Sequence, residues 1–196
     1  MKPILFNMEM VRAILDGRKT QTRRPIKSPS GLFHVCWRKT DPNNKWVEQV
    51  DENEMSTDKR VNPPYDTGDI LYVRETWKAI DISFELLSLW IQYQADKNSK
   101  RIKFEYDRFH KFKKYHDKNG WQPNIFMPKE AARIFLKVTD VRVERLQDIA
   151  SIEAGKEGFG NRAHFIEKWN EIYSDKGYGW DDNPFVWVIE FEVMDI

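Results

Sequence analysis

The stretch IFLKVTDVRVERL, residues 134–146, alternates apolar and polar side chains for longer than a turn or a short helix would allow. Successive side chains of a β-strand point to opposite faces, so the pattern predicts a long strand with one face buried. Other strand signals lie on both sides of it. PILFN at the start reads as a short buried strand, and NPFVWVIEFEVM as a closing one. YDTGDILYVRETW sets a Thr-Gly-Asp turn before a strand that alternates Ile70, Tyr72 and Arg74 against Leu71, Val73 and Glu75. TQTRRPI has β-branched residues at alternate positions and ends in Pro25, as a strand leaving a turn would. Helical patterns are interspersed. NMEMVRAILDG places Met8, Val11, Ile14 and Leu15 at helical spacing, with Asn7 to cap and Gly17 to terminate. DIASIEAGKEGF and RAHFIEKWNEIY read as two more helices. Strands and helices mixed without regular βαβ alternation predict an α+β fold on a mixed or closed sheet.

A chain of 196 residues supports one buried core, so the expectation is a single domain, 1–196, with insertions at about 28–60 and 81–118. The first insertion is rich in Pro, Asn, Asp, Ser and Lys, and HVCWRKTDPNNKWVEQV suggests a hairpin with turn chemistry at DPNN. The second has an apolar half and a basic half. In the latter, nine Lys or Arg face three acids, although the whole chain nets only +1. That balance argues against wholesale wrapping of a polyanion and leaves room for a local basic patch. With 14% aromatic residues and eight Trp the chain should fold rather than stay disordered. Its single cysteine, Cys36, permits no intramolecular disulfide and no Cys-rich metal site, and the natural compartment is reducing. No segment approaches the ~20 apolar residues of a membrane span, and the first residues lack a cleavable leader pattern, so a cytoplasmic location is expected.

Several chemistries find no motif. There is no Walker loop, GxGxxG, GxSxG or HExxH, and His34, His110, His116 and His164 are not at metal-ligand spacing. They read as surface or packing histidines, Cys36 as inert, and no cofactor or metal is called for. The motif GRKTQTRR has an ordinary account as cations complementing a helix C-terminus. It also places Lys19 among other cations beside two hydroxyls, Thr20 and Thr22, which would share a strand face. A lysine partly desolvated among cations can serve as a base, and a threonine hydroxyl needs one to act as a nucleophile.

The stretches MVRAILDGRKTQTRR, YDTGDILYVRETW, WQPNIFMPKEAARIFLKVTDVRVERLQDI, SIEAGKEGF and WVIEFEV, in that order, resemble the ASCH family of the PUA-like superfamily, in particular its longer phage- and prophage-type members. They cover somewhat more than half the chain. The resemblance implies a small mixed β-barrel with flanking helices and a cleft that takes RNA, a nucleotide or a modified nucleoside. Small bacterial members are amidohydrolases acting on N4-acetylcytidine with a lysine, a threonine and a glutamate. Lys19 and Thr22 match the first two, and Glu157 of EAGKEGF is the best match for the third, with Glu153 one helical turn away. Arg18, Thr20, Arg23 and Arg24 would bind substrate or its developing oxyanion. Arg74, Glu75 and Trp77 would offer a phosphate contact, an acceptor and a stacking face, or Trp77 would fill the core. KRIKFEYDRFHKFKKYH has the composition of a single-strand binder, with Lys111, Lys113 and Lys114 as a nucleic-acid arm, or of a charged helix lying on the core. Two other readings stay open: a non-catalytic nucleic-acid or modified-base binding module, and a metal-independent ribonuclease.

Overall fold

A computed structural model describes the backbone of residues 1–27, 33–38, 41–50 and 56–195, and side-chain surroundings for 1–27 and 61–195. In chain order the elements begin with β1 (Lys2–Leu5), α1 (Met8–Leu15), β2 (Gln21–Pro25), β3 (Phe33–Arg38), β4 (Asp41–Val50) and β5 (Ser56–Val61). The middle of the chain gives β6 (Ile70–Arg74), β7 (Trp77–Ser83), β8 (Ser88–Tyr93), β9 (Ser99–Lys103), α2 (Tyr106–Phe112) and α3 (Lys114–Asp117). β10 (Phe135–Arg145), α4 (Ser151–Lys156), α5 (Arg162–Tyr173) and β11 (Phe185–Met194) complete it. The architecture is mixed α+β. Among the described residues the sheets are open and none closes on itself, so the barrel that the resemblance implies is not present there. No helix among them is long and apolar enough to cross a membrane.

The chain divides into two compact units. The first comprises Met1–Gly17, Ile70–Lys137 and Val193–Ile196. Its α1 forms where the sequence places it: the Asn7 side chain accepts from the Met10 amide at 2.8 Å, and Gly17 ends the helix at φ +72°. Val11, Ala13 and Ile14 face inward, whereas Leu15, expected on the apolar face, is 46% exposed in the last turn. β6 runs parallel to β1 and antiparallel to the first residues of β10. Its alternation holds, with Leu71 and Val73 buried and Tyr72 and Arg74 half-buried. β7, β8 and β9 form an antiparallel meander whose inner face builds a core with α2 and α3. Trp77, Leu89, Ile91 and Tyr93 of the sheet meet Phe109, Phe112 and Tyr115 of the helices there. Four of the five aromatic residues of the basic stretch, Phe104, Phe109, Phe112 and Tyr115, are therefore core, as the second of the two readings given for it expects, whereas Tyr106 is exposed. A helix periodicity of 3.6 turns every third or fourth ring inward and leaves the intervening lysines outside.

The second unit comprises Arg18–Asp69 and Val138–Glu192. Here the rest of β10, β11 and β2 lie side by side, β2 antiparallel to β11 from Gln21↔Glu190 to Pro25↔Val186. β2 is an edge strand, which is why it tolerates a proline at its end. β3, β4 and β5 form a separate antiparallel sheet. The expected hairpin is formed, but DPNN lies within β4: pairing jumps from Trp37↔Lys45 to Arg38↔Asp41, so its turn chemistry is used in an irregularity of the ladder. The side chains of His34 and Cys36 lie outside the described residues. α5 is capped by Asn161, which accepts from the His164 amide at 2.9 Å, and buries Phe165 and Trp169.

Candidate functional site

The residues just before and within β2 meet the end of α4. Lys19 pairs with Glu157 through an isolated antiparallel bridge, and the Thr20 amide donates to the Lys156 carbonyl at 2.8 Å. Glu157 is the C-cap of α4, and the helix is stopped there by Gly158 at φ +93°. The Phe159 amide then returns to the Ala154 carbonyl at 3.1 Å, the wrap-around closure that a left-handed glycine permits. Local backbone chemistry thus fixes where Glu157 stands.

Lys19 is 1% exposed and Glu157 2%. The Lys19 ammonium donates to the Gln21 carbonyl at 2.8 Å, to the Glu157 carbonyl at 2.8 Å and to Glu157 Oε2 at 3.1 Å. The first of these bonds holds Nζ against the peptide that joins Gln21 to Thr22. Burial disfavours the charged amine, and Arg24 and Arg23 add to this; Glu157 opposes them, and the pKa falls from an ordinary 10.5 to about 8. About a tenth of the lysine is then neutral one pH unit below that value.

Glu153 and Glu157, one helical turn apart, have separate tasks. Glu157 takes Lys19 through Oε2 and Arg23 through Oε1, at 3.1 and 3.0 Å. Glu153 accepts from the Ala150 amide at 3.1 Å, closing the start of α4, and pairs with Arg23 Nη2 at 3.1 Å. Arg23, fully enclosed, also meets Glu144 at 3.0 Å. Arg142 on β10 extends the network to Glu144, Glu153, Glu190 and Asp140. Burial works against ionising Glu144, but the hydrogen bond from Arg142 and the charges of Arg142 and Arg23 prevail and lower its pKa. Buried charges persist only when paired in this way.

Thr22 is 1% exposed, and its Oγ1 accepts from Arg24 Nη1 at 2.7 Å. Arg24 also donates to the Arg23 carbonyl at 2.9 Å and lines a cavity of about 300 Å³ whose walls include Lys27, Tyr65, Tyr173 and Trp187. Thr20 does not share the environment of Thr22. Its side chain is exposed, because the strand begins only at Gln21 and Thr20 is held through its backbone. Arg18 is exposed and donates to the Gly158 carbonyl at 2.9 Å, bracing the helix end.

Arg74, Glu75 and Trp77 belong to the first unit, where each has a structural partner. Arg74 donates to the Met127 carbonyl at 2.8 Å. Glu75, 1% exposed, takes both arms of Arg133 at 2.8 and 2.9 Å, yet burial outweighs that pairing and its pKa is raised. Trp77 is fully buried, its ring edge-on to Tyr115 at 5.3 Å, which answers the alternative left open for it: it fills the core. Lys111 and Lys114 are exposed and Lys113 half-buried, over the Phe84 ring at 5.8 Å.

Sequence reasoning missed Gln21, Arg142, Glu144 and the aromatic cavity wall. Gln21 is fully buried, donates to the Glu153 carbonyl at 3.2 Å, and leaves its Oε1 without a hydrogen-bond partner, as does Arg23 Nε. Opposite charges at 142 and 144, two apart on a strand that reads as half-buried, were the available signal for the network. Tyr65, Tyr173 and Trp187 come from distant parts of the chain and left no local one. Comparisons with family models, curated proteins and solved structures find no match to this chain.

Proposed function

We propose that the chain is an ASCH-type protein of the PUA-like kind and that its second unit hydrolyses an amide on a modified nucleoside, with N4-acetylcytidine the first substrate to try. The observation that carries this is one enclosed lysine. Its Nζ lies 3.1 Å from a buried glutamate and 2.8 Å from the carbonyl that precedes Thr22, with a pKa lowered to about 8. In the reaction, neutral Lys19 removes the Thr22 Oγ1 proton and the oxygen attacks the acyl carbon. Arg24, already on Oγ1, offers positive charge to the anionic intermediate. Collapse breaks the C–N bond, the amine leaves with the proton held by Lys19, and water then cleaves the threonine ester to regenerate the hydroxyl. Glu157 orients the lysine. The Tyr65, Tyr173 and Trp187 walls beside Arg24 suit a planar heterocycle.

A second reading, a module that binds a modified base without turning it over, is favoured by the enclosure of Thr22 and by the three acceptors on Lys19. Incubation with N4-acetylcytidine, with cytidine release followed by chromatography, separates the two. Release lost in Thr22→Val but present in the wild type supports hydrolysis. Binding of the nucleoside with no release supports the module.

A further inference from the structure

The outer face of the β7–β8–β9 sheet carries a second constellation, independent of Lys19. Along β8 the side chains alternate: Leu89, Ile91 and Tyr93 are at most 1% exposed, whereas Trp90 turns the other way and is 39% exposed. Directly paired residues of neighbouring strands share a face. The register sets Arg101 of β9 opposite Trp90, Lys103 opposite Ser88, and Lys78 of β7 opposite Gln92. Arg101 Nε donates to Ser88 Oγ at 3.1 Å, which anchors the guanidinium on β8 next to the indole. Past Gln92, the half-buried Trp121 ring gathers two ammonium groups, Lys78 at 4.9 Å and Lys97 at 4.5 Å. Among the paired positions of this face one is acidic. Asp81 pairs opposite Trp90, and its Oδ1 accepts the Ile82 amide at 2.8 Å.

The charge of this region selects its partner. The positions just named hold four Lys or Arg against one Asp, while the whole chain nets +1, so the remainder is net acidic. An exposed indole with Arg101 and Lys103 beside it, and Lys78 and Lys97 farther along at Trp121, match a polyanion that also offers unpaired aromatic faces. An apolar protein surface would bury those cations without compensation. A duplex would meet the charges but leave the indole with no base to stack on.

We propose that this face binds single-stranded nucleic acid, an unpaired base stacking on Trp90 while Arg101, Lys103, Lys78 and Lys97 contact the flanking phosphates. The helices behind the sheet contribute rings to the core and are not the contact surface, so Lys111, Lys113 and Lys114 serve as controls.

The test titrates the full chain into end-labelled oligouridylate, oligothymidylate and a duplex of equal length at stepped salt concentrations. Both single strands should bind, the duplex at least tenfold more weakly by the loss of one stacked base. A preference for oligouridylate would assign the face to RNA, and equal binding to either strand. Trp90→Ala should cost about tenfold while Trp90→Phe retains most of the affinity. Arg101→Glu with Lys103→Glu should lower the slope of log affinity against log salt by about two phosphate contacts. The proposal fails if the wild type binds no single strand at low salt, if the duplex binds equally well, or if Trp90→Ala binds normally. It also fails if Trp90→Phe falls as far as Trp90→Ala, or if charge reversal at Lys111, Lys113 and Lys114 abolishes binding that the sheet variants keep. Thermal melts of each variant separate loss of contact from loss of fold, and the charge pair, on the outer face, gives the answer should Trp90→Ala unfold.

Discussion

Arg24 holds Thr22: two residues apart on the same edge strand, the guanidinium donates to the hydroxyl at 2.7 Å. The donor is positively charged and the acceptor has no exposure, so the bond favours whatever form of Thr22 carries more negative charge. Replacing Arg24 by Met should therefore lower kcat for amide hydrolysis by about a hundredfold, the effect of losing one donor at a developing anion. Steady-state kinetics read it, and an unchanged kcat with raised KM would make Arg24 a binding residue instead.

Thr22→Val keeps the shape and removes the hydroxyl that the proposed hydrolysis needs. Turnover should fall to the uncatalysed background while nucleoside affinity stays within about twofold, and stability should drop by about 1 kcal/mol for the lost hydrogen bond. Turnover surviving in the variant would remove Thr22 from the chemistry.

The rate should depend on pH through Lys19. With a pKa of about 8, the neutral fraction, and with it kcat/KM, should rise about tenfold per pH unit below that value and level off above it. Stability follows the same sign. The unfolded chain keeps this proton up to about 10.5 and the folded one releases it near 8, so between those values a rise in pH favours the folded state. The part of the stability profile due to Lys19 should vanish in Lys19→Met, measured by denaturant unfolding at stepped pH. A flat kcat/KM profile from pH 6 to 9 would remove Lys19 as the base.

Arg23 pairs with Glu144, Glu153 and Glu157 from a fully enclosed position. Arg23→Met should destabilise the fold by about 3 kcal/mol, because Glu144 and Glu153 would keep only Arg142, and Glu157 only Lys19, in a mostly buried network. Combining it with Glu144→Gln should recover part of the loss. A double variant as unstable as the sum of the two singles would show that the groups do not act as one network.

Gly158→Ala introduces a side chain at φ +93°, where one is strained, and should cost about 1–2 kcal/mol. Since Gly158 ends the helix at Glu157, activity should fall further than the stability loss accounts for, read as kcat at a temperature where the variant is fully folded.

Local order could be read directly. Asn7, Gly17, Asn161 and the alternation through Leu71 and Val73 act within a few residues, and the elements they mark are present. The motif resemblance named Glu157 with Glu153 one turn away, and which of the two touches Lys19 is visible only in the backbone bridge and the 3.1 Å contact to Glu157. Other features depend on which distant strand becomes a neighbour. Thr20 and Thr22 look equivalent in sequence and are not, because β2 starts between them. Phe109 and Phe112 read as a stacking surface until the sheet inner face is there to receive them. DPNN has turn chemistry at a place where the ladder, not the chain reversal, uses it.

The Lys19–Glu157 contact joins positions 138 apart in the chain. On a ribosome, the first half of this site is made early and must wait until Glu157 has been added and has emerged. Contacts so distant in sequence are costly to close and slow to form. The nascent chain therefore passes an interval in which Lys19 has no Glu157 to meet, and the lysine's lowered pKa, which burial causes, waits for this unit to close.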